Sequence, residues 1–313
     1  MNKPILVTGA HRSGTTWVGR MLSLSPKVGY IHEPFNPLHR VMSPGICKAK
    51  FKYQYTYVTE ENESEYFDDI RRVTEFRYNL FLQLREVIRK KEGIRTLANL
   101  YGGFLVNRYV HDARPLFKDP MALLSVDWLA TRFDMDVVIL IRHPAAFISS
   151  IKRMDWWEPH DFSQFLKQPL LMRDHLNLFE DELNKCTENK FDVIDGGILL
   201  WKIFYLMVNK YQSNGNDYLY LRHEDLAQKP GEQFRVLFDR LKIDYTSKIE
   251  KEIVEHTRSS NPAEAPGSVM HLLKRDSAEL ARIWKSRLSK SEIERIRVGV
   301  GSLCNEFYSD SDW

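Results

Sequence analysis

Pro4-Ile-Leu-Val-Thr-Gly-Ala-His-Arg-Ser-Gly-Thr-Thr-Trp17 reads as a strand, a loop and the start of a helix. Ile5–Thr8 is a short apolar run of the kind that forms a buried strand. Gly9, Arg12, Ser13 and Gly14 make the loop, and Thr15, Thr16 and Trp17 lead into the helical stretch Val18-Gly-Arg-Met-Leu22. Such a unit aims backbone N–H groups and a helix N-terminus at one point, which suits a phosphate-like anion. The Walker A pattern, Gly-x-x-x-x-Gly-Lys-Ser/Thr, shares the glycine spacing. Here Thr15 stands at the lysine position, and the positive charge has moved into the loop as Arg12. The loop reads as an anion cradle adapted for something other than magnesium-bound ATP.

Outward from this unit, strand and helix signals alternate. Lys27–Ile31 is a second strand running into His32-Glu33-Pro34, with Glu33 biased to extended geometry by the proline. Pro115–Lys118 is a third, ending at Lys118-Asp119-Pro120, followed by a helix over Ala122–Phe133. Asp136–Ile141 is the strongest buried strand; it ends at Arg142-His143-Pro144, and a helix from Ala145 carries Ser149 and Ser150. Asp217–Leu221 is a further strand. Between the second and third strands, apolar spacing predicts one long amphipathic helix over Glu65–Lys91, stopped by Gly93, and another over about Thr96–Val110. Helices are also expected over Phe162–Asn184 (broken near Pro169), Gly197–Tyr211, Pro230–Leu241, Lys248–His256 and Ser289–Phe307. The pattern predicts an α/β fold: a P-loop-like, doubly wound parallel sheet flanked by helices. It is expected to be one domain over residues 1–313, with a helical insertion at about residues 40–113. Ligands of such sheets sit beyond the carboxyl ends of the strands. Arg12, Glu33, Lys118 and Arg142 all follow a strand directly.

Composition narrows the function classes. The chain has 313 residues, 43% hydrophobic and 12% aromatic, with a net charge of +3. That is ample for a core and too small a charge for a broad nucleic-acid field. Cys47, Cys186 and Cys304 have neither metal-ligand spacing nor a disulfide framework, and read as buried reduced thiols. No apolar run approaches the roughly 18 residues of a membrane span, and no signal peptide fits before a first strand near Pro4. A cytoplasmic protein is expected. Phosphoryl-transferring P-loop enzymes place a metal-binding aspartate after an apolar strand. Here that strand ends in Arg142, a cation that binds an anion and not a metal. Metal-free transfer of a sulfuryl group, with arginine, lysine and backbone donors stabilising the transition state, suits this set.

These residues resemble the sulfotransferase family that uses 3′-phosphoadenosine 5′-phosphosulfate (PAPS). His11-Arg-Ser-Gly-Thr-Thr-Trp17 is similar to the family's 5′-phosphosulfate loop. Ile141-Arg-His-Pro-Ala-Ala-Phe-Ile-Ser-Ser150 is similar to its 3′-phosphate motif. The resemblance implies that Arg12, Ser13, Gly14, Thr15 and Thr16 hold the 5′ end, that Arg142 and Ser150 grip the 3′-phosphate, and that Trp17 lies near the adenine. Leu219-Tyr-Leu-Arg-His-Glu-Asp-Leu226 resembles the family's Tyr-Glu-Asp-Leu segment, with His223 in place of the adenine-contacting tyrosine. Phe117-Lys-Asp-Pro120 resembles a Lys-x-Pro segment of the tyrosylprotein and some bacterial branches, in which the lysine assists at the sulfuryl group. His32-Glu-Pro34 resembles the glutamate-base site of the carbohydrate and tyrosylprotein branches. The implied mechanism is in-line transfer to an acceptor hydroxyl, with Glu33 as general base (His32 being the alternative) and Arg12 and Lys118 on the developing charge. The implied acceptor is a carbohydrate or glycoconjugate; a glycolipid, natural product or peptide fits the same chemistry. No metal, nucleic acid or membrane span is expected.

Plainer readings compete at each position. Lys118 could pair with Asp119 or another acid, Glu33 could be a loop carboxylate or helix cap, and Trp201 reads as core. Arg89-Lys-Lys91 reads as a solvated helix end. Trp156-Trp157-Glu158 could line an acceptor pocket, and Arg258, Ser259 or Lys274 could touch the nucleotide. The competing enzyme class is a P-loop kinase or NTPase acting on a small molecule, which would need Asp119 or Asp225 as a metal ligand.

Overall fold

The computed structural model describes residues 3–38, 45–90, 101–156, 162–262 and 274–313. Gly93, the Trp157-Glu158 pair and most of the Pro262–Ser268 loop lie outside the described residues, as does the first third of the helix expected from Thr96. Five strands, β1 (Ile5–Gly9), β2 (Val28–His32), β3 (Arg114–Lys118), β4 (Asp136–Ile141) and β5 (Leu219–Arg222), form a single parallel sheet in the order β2-β3-β1-β4-β5. Helices flank it, as the alternating pattern requires. The residues group into two compact units, one of residues 1–8 and 18–138, the other of residues 9–17 and 139–313.

In the first unit β1 and β3 are mostly apolar inside, with Thr8 and Lys118 as buried polar exceptions. Ile5, Leu6 and Val7 are buried and pair in register with Leu116, Phe117 and Lys118. On its other edge β3 pairs with β2, and the last matched pair is His32 with Lys118. That register brings the next residue, Glu33, beside the lysine. The insertion packs through stacked rings, Phe35 on Phe51 at 4.3 Å and Phe51 on Tyr66 at 4.9 Å.

The single helix expected over Glu65–Lys91 is two helices, Phe67–Thr74 and Leu80–Lys90. The chain breaks because Phe76 takes a left-handed backbone (φ 52°) and packs its ring on Gly29 of β2 and edge-on to Phe104. Asn79 then caps the second helix, its side chain accepting from the Leu82 N–H at 3.0 Å. Helical spacing alone cannot show this, since Phe76 fits the apolar period. The helix expected over Ala122–Phe133 begins as a 3₁₀ turn at Pro120–Ser125 and becomes α-helical over Val126–Phe133.

The second unit is built on the end of β4, the helix Pro144–Met154 that follows it, and the long helix Val193–Ser213. Asp192 caps the long helix by accepting from the N–H groups of Ile194 and Asp195, both at 2.9 Å. Trp201, Phe204 and Tyr205 on that helix are buried. Ser289 and Glu292 form a reciprocal capping box for the helix Lys290–Val300.

Gly9 ends β1 at φ 143°, and a Cβ there would run into the Leu140 carbonyl oxygen of β4. A backbone oxygen in a sheet cannot step aside. Gly9→Ala is therefore expected to destabilise the protein by about 3 kcal/mol or more, read as a lower thermal midpoint. An unchanged midpoint would contradict the described strand contact.

Candidate active site

The loop after β1 folds on itself. The Ser13 N–H donates to the Ala10 carbonyl at 3.1 Å, and the Ser13 hydroxyl donates to the same oxygen. Arg12 takes a left-handed conformation (φ 67°) and Gly14 lies at φ 98°. Alternating handedness of this kind turns successive N–H groups toward one point, a concave anion site. The helix Thr15–Leu22 begins directly after it.

Two arginines converge on this loop. The Arg12 Nε donates to the Ser150 hydroxyl at 3.0 Å, and the Arg142 Nη1 donates to the Arg12 carbonyl. Arg12, Arg142 and Ser150 are thus brought together from the loop after β1, the end of β4 and the helix after it. The Arg12 guanidinium also stands 5.3 Å over the Trp156 ring, a cation–π distance. Arg142 is only 6% exposed. Among the described residues neither arginine has an ion-pair partner, and the Arg142 Nε is buried without a hydrogen bond. Burial, followed by the charges of Arg142, Arg275, Arg153 and Arg287, pushes Arg12 down to about 10. Burial likewise lowers Arg142, with Glu224 opposing it. The cost of this positive field is removed by an anion. Arg153, Arg275 and Arg287 are members of it to which the sequence motifs assign no role. Arg153 was findable, three residues beyond Ser150 on the same helix face.

His223 opens the helix His223–Gln228 and is buried. A Cβ on Gly14 would stand 2.7 Å from its Nδ1, so this glycine makes room for the imidazole. Trp17 meets the edges of His223 at 5.9 Å and Phe234 at 5.3 Å, and its buried indole N–H has no partner among the described residues. Burial and the Arg142 charge push His223 down to about 3, so the ring is neutral. His11 is also pushed to about 3 by burial and Arg12, and packs 5.1 Å from Phe147. An unpaired donor on Arg142, an unpaired indole N–H and an electropositive nest fit a nucleotide with anionic groups at both ends.

In the other unit, Glu33 and Lys118 form an ion pair. The strand register creates it, and the Glu33 N–H closes it by donating to the Lys118 carbonyl at 2.9 Å. Glu33 sits in the left-handed region at φ 45°, a conformation that costs energy in a non-glycine residue and marks functional turns. The lysine side chain is 1% exposed and the glutamate 14%, so the carboxylate keeps an edge toward water. Asn36 donates to the second carboxylate oxygen at 2.9 Å, and the His32 Nε2 lies 3.7 Å from it. Burial opposes ionisation of Glu33. The charges of Lys118 and His32, with hydrogen bonds from Lys118 and Asn36, outweigh it and hold the carboxyl below its usual range. Sequence reasoning missed Asn36, although its position three residues after Glu33 gave a signal.

The alternative pairing of Lys118 with Asp119 is not formed. Asp119 accepts from the Phe35 N–H at 2.6 Å and the Met121 N–H at 3.0 Å, so it is a structural cap. Burial and the Glu33 charge push it up to about 7. Asp225 is exposed and lies 3.7 Å from Arg222. Both aspartates that a kinase reading needs for metal are engaged in these other contacts. Among the described residues no group of His, Cys, Asp or Glu could hold a metal ion, and no helix is long and apolar enough to cross a membrane. Arg258 pairs with Glu255 at 3.1 Å on its own helix, and the three cysteines are free and buried.

A family model described as the sulfotransferase family matches residues 4–247. No curated protein matches the chain. Among solved structures, the sulfotransferase domain of the Synechococcus PCC 7002 olefin synthase aligns at a TM-score of 0.51 with 15% identity, covering 99% of this chain and 97% of that one. The sulfotransferase domain from the curacin biosynthetic pathway aligns at 0.48 with 15% identity, covering 95% and 97%. Sulfotransferase STF9 from Mycobacterium avium aligns at 0.46 with 12% identity, covering 98% and 77%. The first of these likenesses shows the shared fold.

The Glu33–Lys118 pair makes a stability prediction. Glu33→Gln leaves the Lys118 ammonium buried without its counter-charge and should cost about 3 kcal/mol. The folded carboxyl ionises below its unfolded value of about 4.3. Its stabilisation is therefore fully present above that pH and is lost as pH falls through the folded value. Thermal midpoints of wild type and Glu33→Gln should differ most near neutrality and draw together only as pH falls through the lowered folded value of the carboxyl. A gap independent of pH would contradict the ion pair.

Proposed function

The chain belongs to the sulfotransferase family, and from that premise we propose that it moves a sulfuryl group from PAPS to an acceptor hydroxyl, without a metal. The observation that carries this reading is the convergence of Arg12, Arg142 and Ser150 on one loop, with Arg12 bonded to Ser150 and Arg142 bonded to the Arg12 carbonyl. A cation, Arg142, stands where a kinase needs a metal-binding carboxylate. In this reading the loop N–H groups with Ser13, Gly14, Thr15 and Thr16 hold the 5′ end of the donor. Arg142 and Ser150 hold the 3′-phosphate, and Trp17 with His223 flanks the adenine.

Glu33 accepts the acceptor's hydroxyl proton, while Arg12 and Lys118 neutralise charge that grows on the sulfuryl and leaving phosphate oxygens. An ion pair that holds Glu33 acidic also holds it weakly basic. In this reading Glu33 becomes a stronger base as its pairing with Lys118 loosens while the hydroxyl proton is exchanged onto the carboxylate. Asn36 keeps the carboxylate oriented during that exchange, and His32 supports its charge. The acceptor is a carbohydrate or glycoconjugate hydroxyl. That assignment rests on the Glu-Pro context of Glu33, which resembles the glutamate-base branches.

Calorimetry in EDTA with the product nucleotide, adenosine 3′,5′-bisphosphate, tests the donor. Metal-free binding is expected, weakened at least about tenfold by Arg142→Ala and by Arg12→Ala through loss of charge-assisted hydrogen bonds. Binding of ATP that requires magnesium, with no response to the 3′-phosphorylated nucleotide, would overturn the reading. With labelled PAPS and a panel of glycans, Glu33→Gln should lower turnover by about 10²–10⁴ while donor affinity stays within a few fold. Undiminished turnover would remove Glu33 from the base role.

A further inference from the structure

Arg142 is held less by its own side chain than by its backbone, and the groups that hold it extend past the end of the family match at residue 247. The Arg142 N–H donates to the Tyr205 hydroxyl at 2.5 Å, and its carbonyl accepts from the Trp201 indole N–H at 3.1 Å. The next N–H, that of His143, donates to the Glu224 Oε1 at 3.1 Å. The second oxygen of Glu224 accepts from the Tyr308 hydroxyl at 2.8 Å. Glu224 thereby ties the Arg142–His143 peptide to a residue of the C-terminal segment.

The His143 ring is fastened by the same segment. It stacks on Trp284 at 4.9 Å, with planes 12° apart, and meets Tyr308 edge-on at 4.9 Å and Trp313 at 4.4 Å. Both of its ring nitrogens are buried without a hydrogen bond among the described residues, so the imidazole serves as a flat plate gripped by aromatic faces. Burial pushes it down to about 3, which keeps it uncharged there. Pro144 confines the backbone of His143, so fixing its ring fixes the peptide that carries Arg142. The segment is anchored in turn. Arg222 lies 4.5 Å over the Tyr308 ring and pairs with Asp312, and Lys285 donates to the Trp313 carbonyl at 2.5 Å. A chain commits buried polar groups and three large aromatics in this way where one backbone position must not move.

We propose that Glu224, Tyr308 and the aromatic clamp of Trp284 and Trp313 around His143 are positioning residues for Arg142. Through them residues beyond the family match set the preference for a 3′-phosphorylated nucleotide. This rests on the reading of Arg142 as the 3′-phosphate ligand. Tyr308→Phe removes one hydroxyl and no ring. Trp313→Leu opens the clamp from the other side. Neither residue is placed against the nucleotide.

The test is calorimetry in EDTA with adenosine 3′,5′-bisphosphate and with adenosine 5′-monophosphate, which lacks the 3′-phosphate. Wild type, both variants and Arg142→Ala are compared, with thermal midpoints as the check on folding. Each variant is expected to weaken the bisphosphate about tenfold and the monophosphate less than twofold, approaching the Arg142→Ala pattern. A general loss of structure would weaken both nucleotides together, and that outcome overturns the proposal. So does a folded Tyr308→Phe that keeps the wild-type ratio. If wild type itself shows no preference for the bisphosphate, the 3′-phosphate reading of Arg142 fails instead, and this proposal with it.

Discussion

Two arginines sharing one loop, with no carboxylate paired to either guanidinium among the described residues, are the constraint on which the rest of the second unit depends. Arg12 and Arg142 are drawn together by the bond from the Arg142 side chain to the Arg12 carbonyl. Burial works against the charge of both, and neighbouring arginines, Arg142 foremost, work against that of Arg12. A protein tolerates such an arrangement when an anion from outside completes it, since removing solvent from a cation is offset only by a nearby opposite charge. The surroundings serve to keep the pair in place. Ser150 receives Arg12, Tyr205 and Trp201 bracket the Arg142 backbone, and Glu224 supplies counter-charge at one remove. Gly9 lets β1 end hard against β4 so that the loop can begin where it does.

The first unit offers a different kind of chemistry, set by strand register and not by a loop. Matching His32 to Lys118 makes the residue after β2 a neighbour of the last residue of β3. A carboxylate and an ammonium at those positions then have little choice but to pair. The pair is asymmetric. Its lysine is sealed, whereas its glutamate keeps an edge exposed. The left-handed backbone at Glu33 and the Asn36 contact hold that edge in one orientation.

Much of this was legible in the sequence because the features concerned are local. Val137–Ile141 is a continuous apolar run, and the strand Asp136–Ile141 covers it. The Gly9–Thr16 loop announces itself through two glycines at Walker spacing and the displaced cation. What escaped was decided by contacts far apart in the chain. The break at Phe76 depends on Gly29 and Phe104, neither of which helical spacing can see. Trp201 is core, as its helix pattern implies, but its indole N–H on the Arg142 carbonyl is a contact across 59 positions. Asp119 looks equally able, in sequence, to pair with Lys118 or bind a metal; in the fold its two oxygens lie on the Phe35 and Met121 amides. The clamp around His143 joins residues on both sides of a long helical stretch and leaves no periodic trace.

The central claim is that the arginine-lined loop holds a nucleotide by two separate anionic groups. Phosphorus NMR of adenosine 3′,5′-bisphosphate tests it most directly, because the two phosphates give distinct resonances. Titrated with the protein in EDTA, both resonances should shift. Arg142→Ala should abolish the 3′ shift and leave most of the 5′ shift. Movement of the 5′ resonance alone in wild type, or of either only when magnesium is supplied, would contradict the account.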